Sequence, residues 1–268
     1  NPAALPMSRL RASDLAHEAL AALIARPARS VLTGLGTVLG VGTLVTILGL
    51  TTTAQAQVSA RFDALAATTV TVEDHHTATP VLTPEAADRV SSLVNGVEAV
   101  GYHWPVSGVA DVRVVASRPV SSRIQVTAAS PGLFAVVDAA VSSGTLFDRF
   151  HDAHALPVAV VGEIAAQRLG LPDLALAPSV LVDDRPYTVV GVISATTRMP
   201  DLLSSVIIPA GAAEERFGPP SGSGGNVATM LIATRPGAAR QVAAEAPWVL
   251  TPQDLGQVEV VPPPDPRT

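Results

Sequence analysis

Of the 268 residues, 48% are hydrophobic but only 3% aromatic, so any core is built from Ala, Val and Leu with little help from rings. There is no Cys, which excludes a disulfide framework and thiolate chemistry, and all 17 basic residues are Arg. The net charge of −6 is unevenly placed: four Arg against two acidic residues before position 30, and 13 Arg against 21 acidic residues after position 50. An acidic, lysine-free outer part is poorly suited to nucleic acid, because phosphate neutralisation needs a basic face.

The first predicted element is a helix over Ser8 to Arg26, with Leu10, Leu15, Leu20, Leu23 and Ile24 on a broad apolar stripe and Ser8 or Ser13 as cap. Beside a membrane span, such an amphipathic helix suits the cytoplasmic interface, though a loose tail is the plainer alternative. Pro27 breaks it from the next element. Ser30 to Leu50 then carries no charge over 21 residues. As a helix this run is about 31 Å long, close to the hydrocarbon thickness of a bilayer. Ala54-Gln55-Ala56 resembles a signal-peptide cleavage site, but the run is longer than a signal's apolar region and some 29 residues precede it. The expectation is an anchor that is retained. Arg26 and Arg29 lie before the run and the next charge is Arg61, which places the N-terminus in the cytoplasm and the bulk of the chain outside. Gly36 and Gly40 have the small-xxx-small spacing that lets a second helix approach closely, although glycine is common in membrane helices generally.

The helix is expected to continue over 57–67. A strand comes next over 68–73, then a helix from Pro84 to Leu93 with Thr83 as N-cap and Asn95-Gly96 as its stop. Strands are predicted over 97–102, 111–116 and 123–128, and a short helix over 131–137. The apolar run 157–161 reads as a buried strand feeding through Gly162 into a helix over 163–169. Strands over 180–182 and 187–193 flank Asp183-Asp-Arg-Pro186, a hairpin turn. A strand at 206–208, a helix at 210–217, a Gly-rich loop at 218–225, a strand at 227–233, a helix at 236–245 and a strand at 257–261 complete the chain. Strands and helices interleave, so the class is α+β: a single N-terminal transmembrane helix followed by a mixed α/β extracytoplasmic domain of two subdomains. The expected divisions are a cytoplasmic helix at 1–29, the span at 30–52 and the outer domain at 53–268.

Without Lys the chain has no phosphate-binding loop of the GxxxxGK[ST] form, and no Schiff-base or Ser-Lys mechanism. It has no G-x-S-x-G elbow. Asp74-His75-His76 and His151-Asp-Ala-His154 are its metal-like clusters; both read as solvated loops without zinc-site spacing. The expectation is therefore no catalytic, cofactor-binding or metal residue, and no enzyme.

In its order and motifs the chain resembles the N-terminal portion of a permease of the MacB/FtsX/LolC type of ABC transporter. The first span is matched by Arg29, Leu32, Thr33, Leu35, Gly36, Val38, Gly40 and Val41. SPGLFAVVDAAVSSGTLF resembles a segment ending in a Gly-Arg-x-Phe turn, here Gly144 to Phe147 with Thr145 in place of Arg. PVAVVGEIAAQRLG resembles a strand-Gly-Glu-helix segment carried by Gly162 and Glu163. The strand containing Gly191 and the one ending at Pro209 match in turn. These signature residues are expected to be fold positions, where glycine suits tight turns or close backbone approach. The resemblance implies a separate ATPase subunit that binds ATP, a second permease copy, and an outer domain moved by ATP-driven closure on the cytoplasmic side. It also implies further spans, so the chain reads as truncated or as a degenerate copy. The competing readings are a membrane-tethered binding or sensing module and a secreted protein cleaved at Ala56.

Overall fold

A 40-residue helix, α1 (Pro27–Ala66), opens the described part of the computed structural model, which covers residues 27–66, 68–75, 80–109, 111–114, 124–222, 226–251 and 258–261. The expected helix over 8–26, Arg26 and His76 lie outside the described residues. Pro27 starts α1, where its missing N–H costs nothing. From Val31 to Leu50 the large apolar side chains of α1 are more than half exposed. The Thr46 and Thr51 hydroxyls donate back to the Gly42 and Ile47 carbonyls, each at 2.8 Å, so these polar groups are satisfied within the helix. The window Gly34–Thr51 has a mean hydropathy of 1.7, and it is the one helix among the described residues long and apolar enough to cross a membrane.

The chain divides into two units between Arg61 and Phe62. The second unit, residues 62–268, carries all the strands and both hydrophobic cores. Its elements are β1 (Thr69–Asp74), α2 (Pro84–Leu93), β2 (Val97–Pro105), β3 (Val112–Val114), β4 (Gln125–Ala129), α3 (Gly132–Val136), β5 (Ala140–Gly144), α4 (Arg149–Ala153), β6 (Val158–Gly162), α5 (Glu163–Leu169), β7 (Ser179–Val182), β8 (Arg185–Ala195), β9 (Ser205–Pro209), α6 (Ala210–Phe217), β10 (Ala228–Thr234), α7 (Ala239–Leu250) and β11 (Val258–Val261). The strands join in the order β11-β1-β10-β2-β4-β9-β6-β8-β7-β3, with β5 also on β8. Pairing is antiparallel except at β4–β9 and β6–β8. The two expected subdomains thus share one continuous sheet, whose halves meet where β4 pairs β9.

Side chains alternate across that sheet. Val206 and Ile208 enter the larger core, with Ala86 and Val90 of α2, Ala165 and Leu169 of α5, and Val242 and Ala246 of α7. Ile207 enters the smaller core on the other face, with Leu133, Phe134 and Val136 of α3. As predicted, Thr83 caps α2 by accepting from the Ala86 N–H at 3.2 Å. The hairpin turn is tighter than predicted: Asp183 and Asp184 alone form it, at φ 45° and 65°, while Arg185 and Pro186 already pair with β7. The Asp111 N–H donates to Asp183, and Arg113 bridges Asp111 and Asp184.

Where α3 lies on β2 the backbones touch. A Cβ at Gly132 would sit 2.1 Å from the Val100 oxygen, and one at Gly101 2.2 Å from the Leu133 nitrogen. Gly132→Ala is expected to cost more than about 3 kcal/mol of outer-domain stability. Gly170→Ala, at φ 62° with open space around it, should cost about 1 kcal/mol from backbone strain alone. Urea unfolding of residues 62–268 checks both.

His103 of β2 is desolvated, which pulls its pKa from 6.5 down to about 4. The unfolded chain therefore takes up this proton first as the pH falls. His103's contribution is fully present above pH 6.5, declines between 6.5 and 4, and is constant below about 4. The urea midpoint of His103→Gln, tracked across that window, should fall less steeply than that of the parent domain.

Candidate functional site

Thr68, just before β1, and Thr69, its first residue, are both held by hydrogen bonds from later in the chain. The Thr234 N–H donates to the Thr68 carbonyl at 2.8 Å. Arg198, in the loop after β8, donates through Nε to the Thr69 hydroxyl at 2.7 Å and through Nη2 to the Thr68 hydroxyl at 3.1 Å. Its Nη1 donates to the Val136 carbonyl at 2.7 Å. Thr197 adds two bonds to the next carbonyl, Val137, through its N–H at 2.9 Å and its hydroxyl at 3.1 Å. The last carbonyls of α3 have no partner within the helix, so this loop satisfies them, and a guanidinium is the favoured charge at a helix C-terminus. Met199, at φ 56°, then turns the chain into a 3-10 turn over Pro200–Ser204. The planar, five-donor guanidinium is what lets one half-buried side chain join β1, α3 and the β8–β9 connection.

Most of the signature residues gather on the same face of the sheet. Gly144 and Gly191 are direct partners in the β5–β8 ladder. A Cβ on Gly144 would meet the Val190 oxygen at 2.1 Å, and one on Gly191 the Thr145 oxygen at 2.2 Å. Gly162 lies against the 3-10 turn, where a Cβ would come within 2.3 and 2.2 Å of the Leu202 and Leu203 carbonyl oxygens. Phe147 is buried and packs edge-on against Phe134 of α3, centroids 4.8 Å apart at 71°. Pro209 ends β9 opposite Ala129 and precedes α6. Glu163, by contrast, is exposed in the first turn of α5, beside an open groove of about 450 Å³ with Ser142, Ser143, Gln167 and Asp173. In α1 a Cβ at Gly36 or Gly40 would meet nothing within 4 Å in this chain. Arg29 lies in the first turn of α1.

The two histidine clusters do not survive as sequence groups. His151 lies inside the short helix α4 and His154 in the turn that ends it: Asp148 caps α4, accepting from the His151 N–H, and its carboxylate meets His151 Nδ1 at 2.7 Å. His154 Nδ1 bonds the Phe150 carbonyl at 2.9 Å. Asp74 turns into the core side and accepts from the Val81 N–H at 2.7 Å, away from His75. His75 meets Glu73 and Glu259 instead, its Nε2 at 3.6 and 3.5 Å from their carboxylates.

Sequence reading also missed a pair of acids at the α4–α6 corner. Burial pushes the Asp152 carboxyl up, while the Gly211 N–H, donating at 2.8 Å, and Ala210 hold it down. Glu214 is raised by burial and by repulsion from Asp152. With its carboxylate engaged at the start of α6, Asp152 serves as a helix anchor.

A family model described as the MacB-like periplasmic core domain matches residues 30–246. Among solved structures, the chain is similar to the periplasmic region of MacB from Actinobacillus actinomycetemcomitans, at 16% identity and a TM-score of 0.55, covering 73% of this chain and 88% of that one. It is also similar to the extracellular domain of the noncanonic ABC-type transporter YknZ from Gram-positive bacteria, at 17% identity and a TM-score of 0.54, covering 72% and 99%. The comparison with curated proteins gives no match. With one apolar helix, a mixed outer domain of this fold, and a match that runs through both, the chain belongs to the family of the MacB-like periplasmic core domain, found in ABC transporter permeases.

Proposed function

We propose that this chain is a permease subunit, or part of one, that couples ATP hydrolysis by a separate ATPase to movement of its extracytoplasmic domain, for export or release of a substrate. The observation that carries the reading is the extent of the family match, which takes in the apolar helix and the outer domain in one run. The absence of Lys supports assigning ATP to another subunit, since the common phosphate-binding loop requires one. On this reading the N-terminus is cytoplasmic, with Arg26 and Arg29 fixing the orientation, and Gly36 and Gly40 face a second permease copy. The chain performs no catalysis of its own.

The Arg198 fork supplies the mechanical part. Transmission through a domain needs the point where force arrives to be tied to elements that move together. Arg198 ties Thr68 and Thr69 to α3 and to the β8–β9 connection. A second reading, a tethered binding module, draws support from the open groove beside Glu163.

Affinity purification of the tagged full-length gene product in detergent is expected to bring down an ATPase subunit with its own phosphate-binding loop; purification without one overturns the proposal. Because these 268 residues hold no Cys, a single Leu176→Cys label at an exposed outer-domain position, with any cysteines elsewhere in the complex replaced, reports inter-copy distance. That distance should change on ATP addition, and an unchanged distance argues for the binding module.

Arg198→Ala removes three hydrogen bonds, two of them to hydroxyls that keep other options, and should destabilise the outer domain by about 1–3 kcal/mol. Arg198→Lys, which cannot span the fork, should recover only part of this. In the full-length protein Arg198→Ala is expected to keep the ATPase bound while weakening the ATP-dependent distance change.

A further inference from the structure

The outer edge of the sheet places two like charges face to face. Glu73 of β1 and Glu259 of β11 are direct partners in the antiparallel ladder. Like charges in this position weaken a strand pair. β11 is only four residues long and pairs with β1 alone among the described strands, so the repulsion falls on a short edge ladder.

His75 lies two residues beyond Glu73 and is directed at both carboxylates. Its Nε2 is 3.6 Å from Glu73 Oε2 and 3.5 Å from Glu259 Oε2. These separations are too long for hydrogen bonds, which run to about 3.2 Å. They are close to the roughly 3.4 Å that separates two ligands of one tetrahedral ion with bonds of about 2.1 Å. The three ligand atoms all lie within 4.8 Å of one another. Nε2 itself is out of contact with water and has no hydrogen-bond partner, although the rest of the ring is partly exposed. A buried ring nitrogen left unbonded between two carboxylates is costly unless something bonds it.

We propose that Glu73, His75 and Glu259 form a binding site for a divalent transition cation of the zinc class, which clamps β11 to β1. A borderline ion suits one imidazole and two carboxylates, and leaves a fourth position to water. Its charge removes the Glu73–Glu259 repulsion, and its bond to Nε2 satisfies the stranded nitrogen. The ion belongs to the fold of the edge, and the assignment stands whether or not the chain acts in transport.

The test uses tag-free residues 62–268, the unit that carries its own sheet and cores, after treatment with a chelator. Zinc chloride is expected to raise the melting temperature by about 5–10 °C at a hundredfold excess of free ion over Kd. Cobalt(II) chloride should bind one ion per chain and give the visible absorption of a tetrahedral or five-coordinate site, whereas magnesium should do neither. His75→Gln and Glu259→Gln should each weaken cobalt binding at least about tenfold, and His151→Gln should leave it unchanged. The proposal is overturned if the parent domain shows no saturable cobalt binding, if His75→Gln binds as tightly as the parent, or if magnesium produces the same melting shift. Should either variant fail to fold, the parent's cobalt spectrum and stoichiometry decide alone.

Discussion

Direct contact of backbone on backbone is the constraint on which the outer domain depends. With so few aromatic side chains the protein cannot fill wide gaps between layers. It closes them by bringing main chain against main chain, at Gly101 and Gly132, at Gly144 and Gly191, and at Gly162. Each contact leaves no space for a Cβ, and so sets how closely two elements approach. The Ala and Val cores then suffice, because the layers are already close. The few large side chains sit where the contacts leave room: Phe134 against Phe147 on one face, Tyr102 stacked near Trp104 on the other.

The same constraint explains which parts were legible in the sequence. Elements with a strong local signal came through. Thr83-Pro84 announces the start of α2, the apolar run 158–161 announces a buried strand, and Asp183-Asp184 announces a turn. β5 was missed because all five of its residues are exposed, so it has neither alternation nor an apolar run. Its strand character comes entirely from pairing with β8. α4 was missed because it is five residues long and its N3 partner to Asp148 is His151, where Glu or Gln is the usual signal. α7 runs past the expected stop at 245 and through Pro247; tertiary burial of Ala246 and Leu250 outweighs the local penalty.

The site was half legible. The signature glycines could be picked out as positions, but what each one touches could not, since the opposing carbonyls carry no sequence signal. Arg198 gave no signal at all. Its hydroxyl partners lie 129 and 130 residues away, and a single Arg beside two Thr in a loop looks like any solvated residue. Glu73, His75 and Glu259 are likewise joined only by the register of β11 on β1. Both arrangements come from topology: β11 returns beside β1, and the loop after β8 reaches the start of β1.

That return bears on how the domain can respond to its attachment. β1 is flanked on both sides by late strands, β10 and β11, while Arg198 ties its first residues to elements from the middle of the sequence. A displacement of Thr68 therefore cannot be absorbed by peeling β1 away alone. It would have to break the ladder to β10, the ladder to β11 and the two guanidinium bonds to Thr68 and Thr69 together. The less costly response is for the sheet and α3 to move with β1 as one body, since the interlocked glycine contacts resist shear between layers. On the proposed transport reading, the outer domain then behaves as a rigid head, and any bending must occur outside its cores.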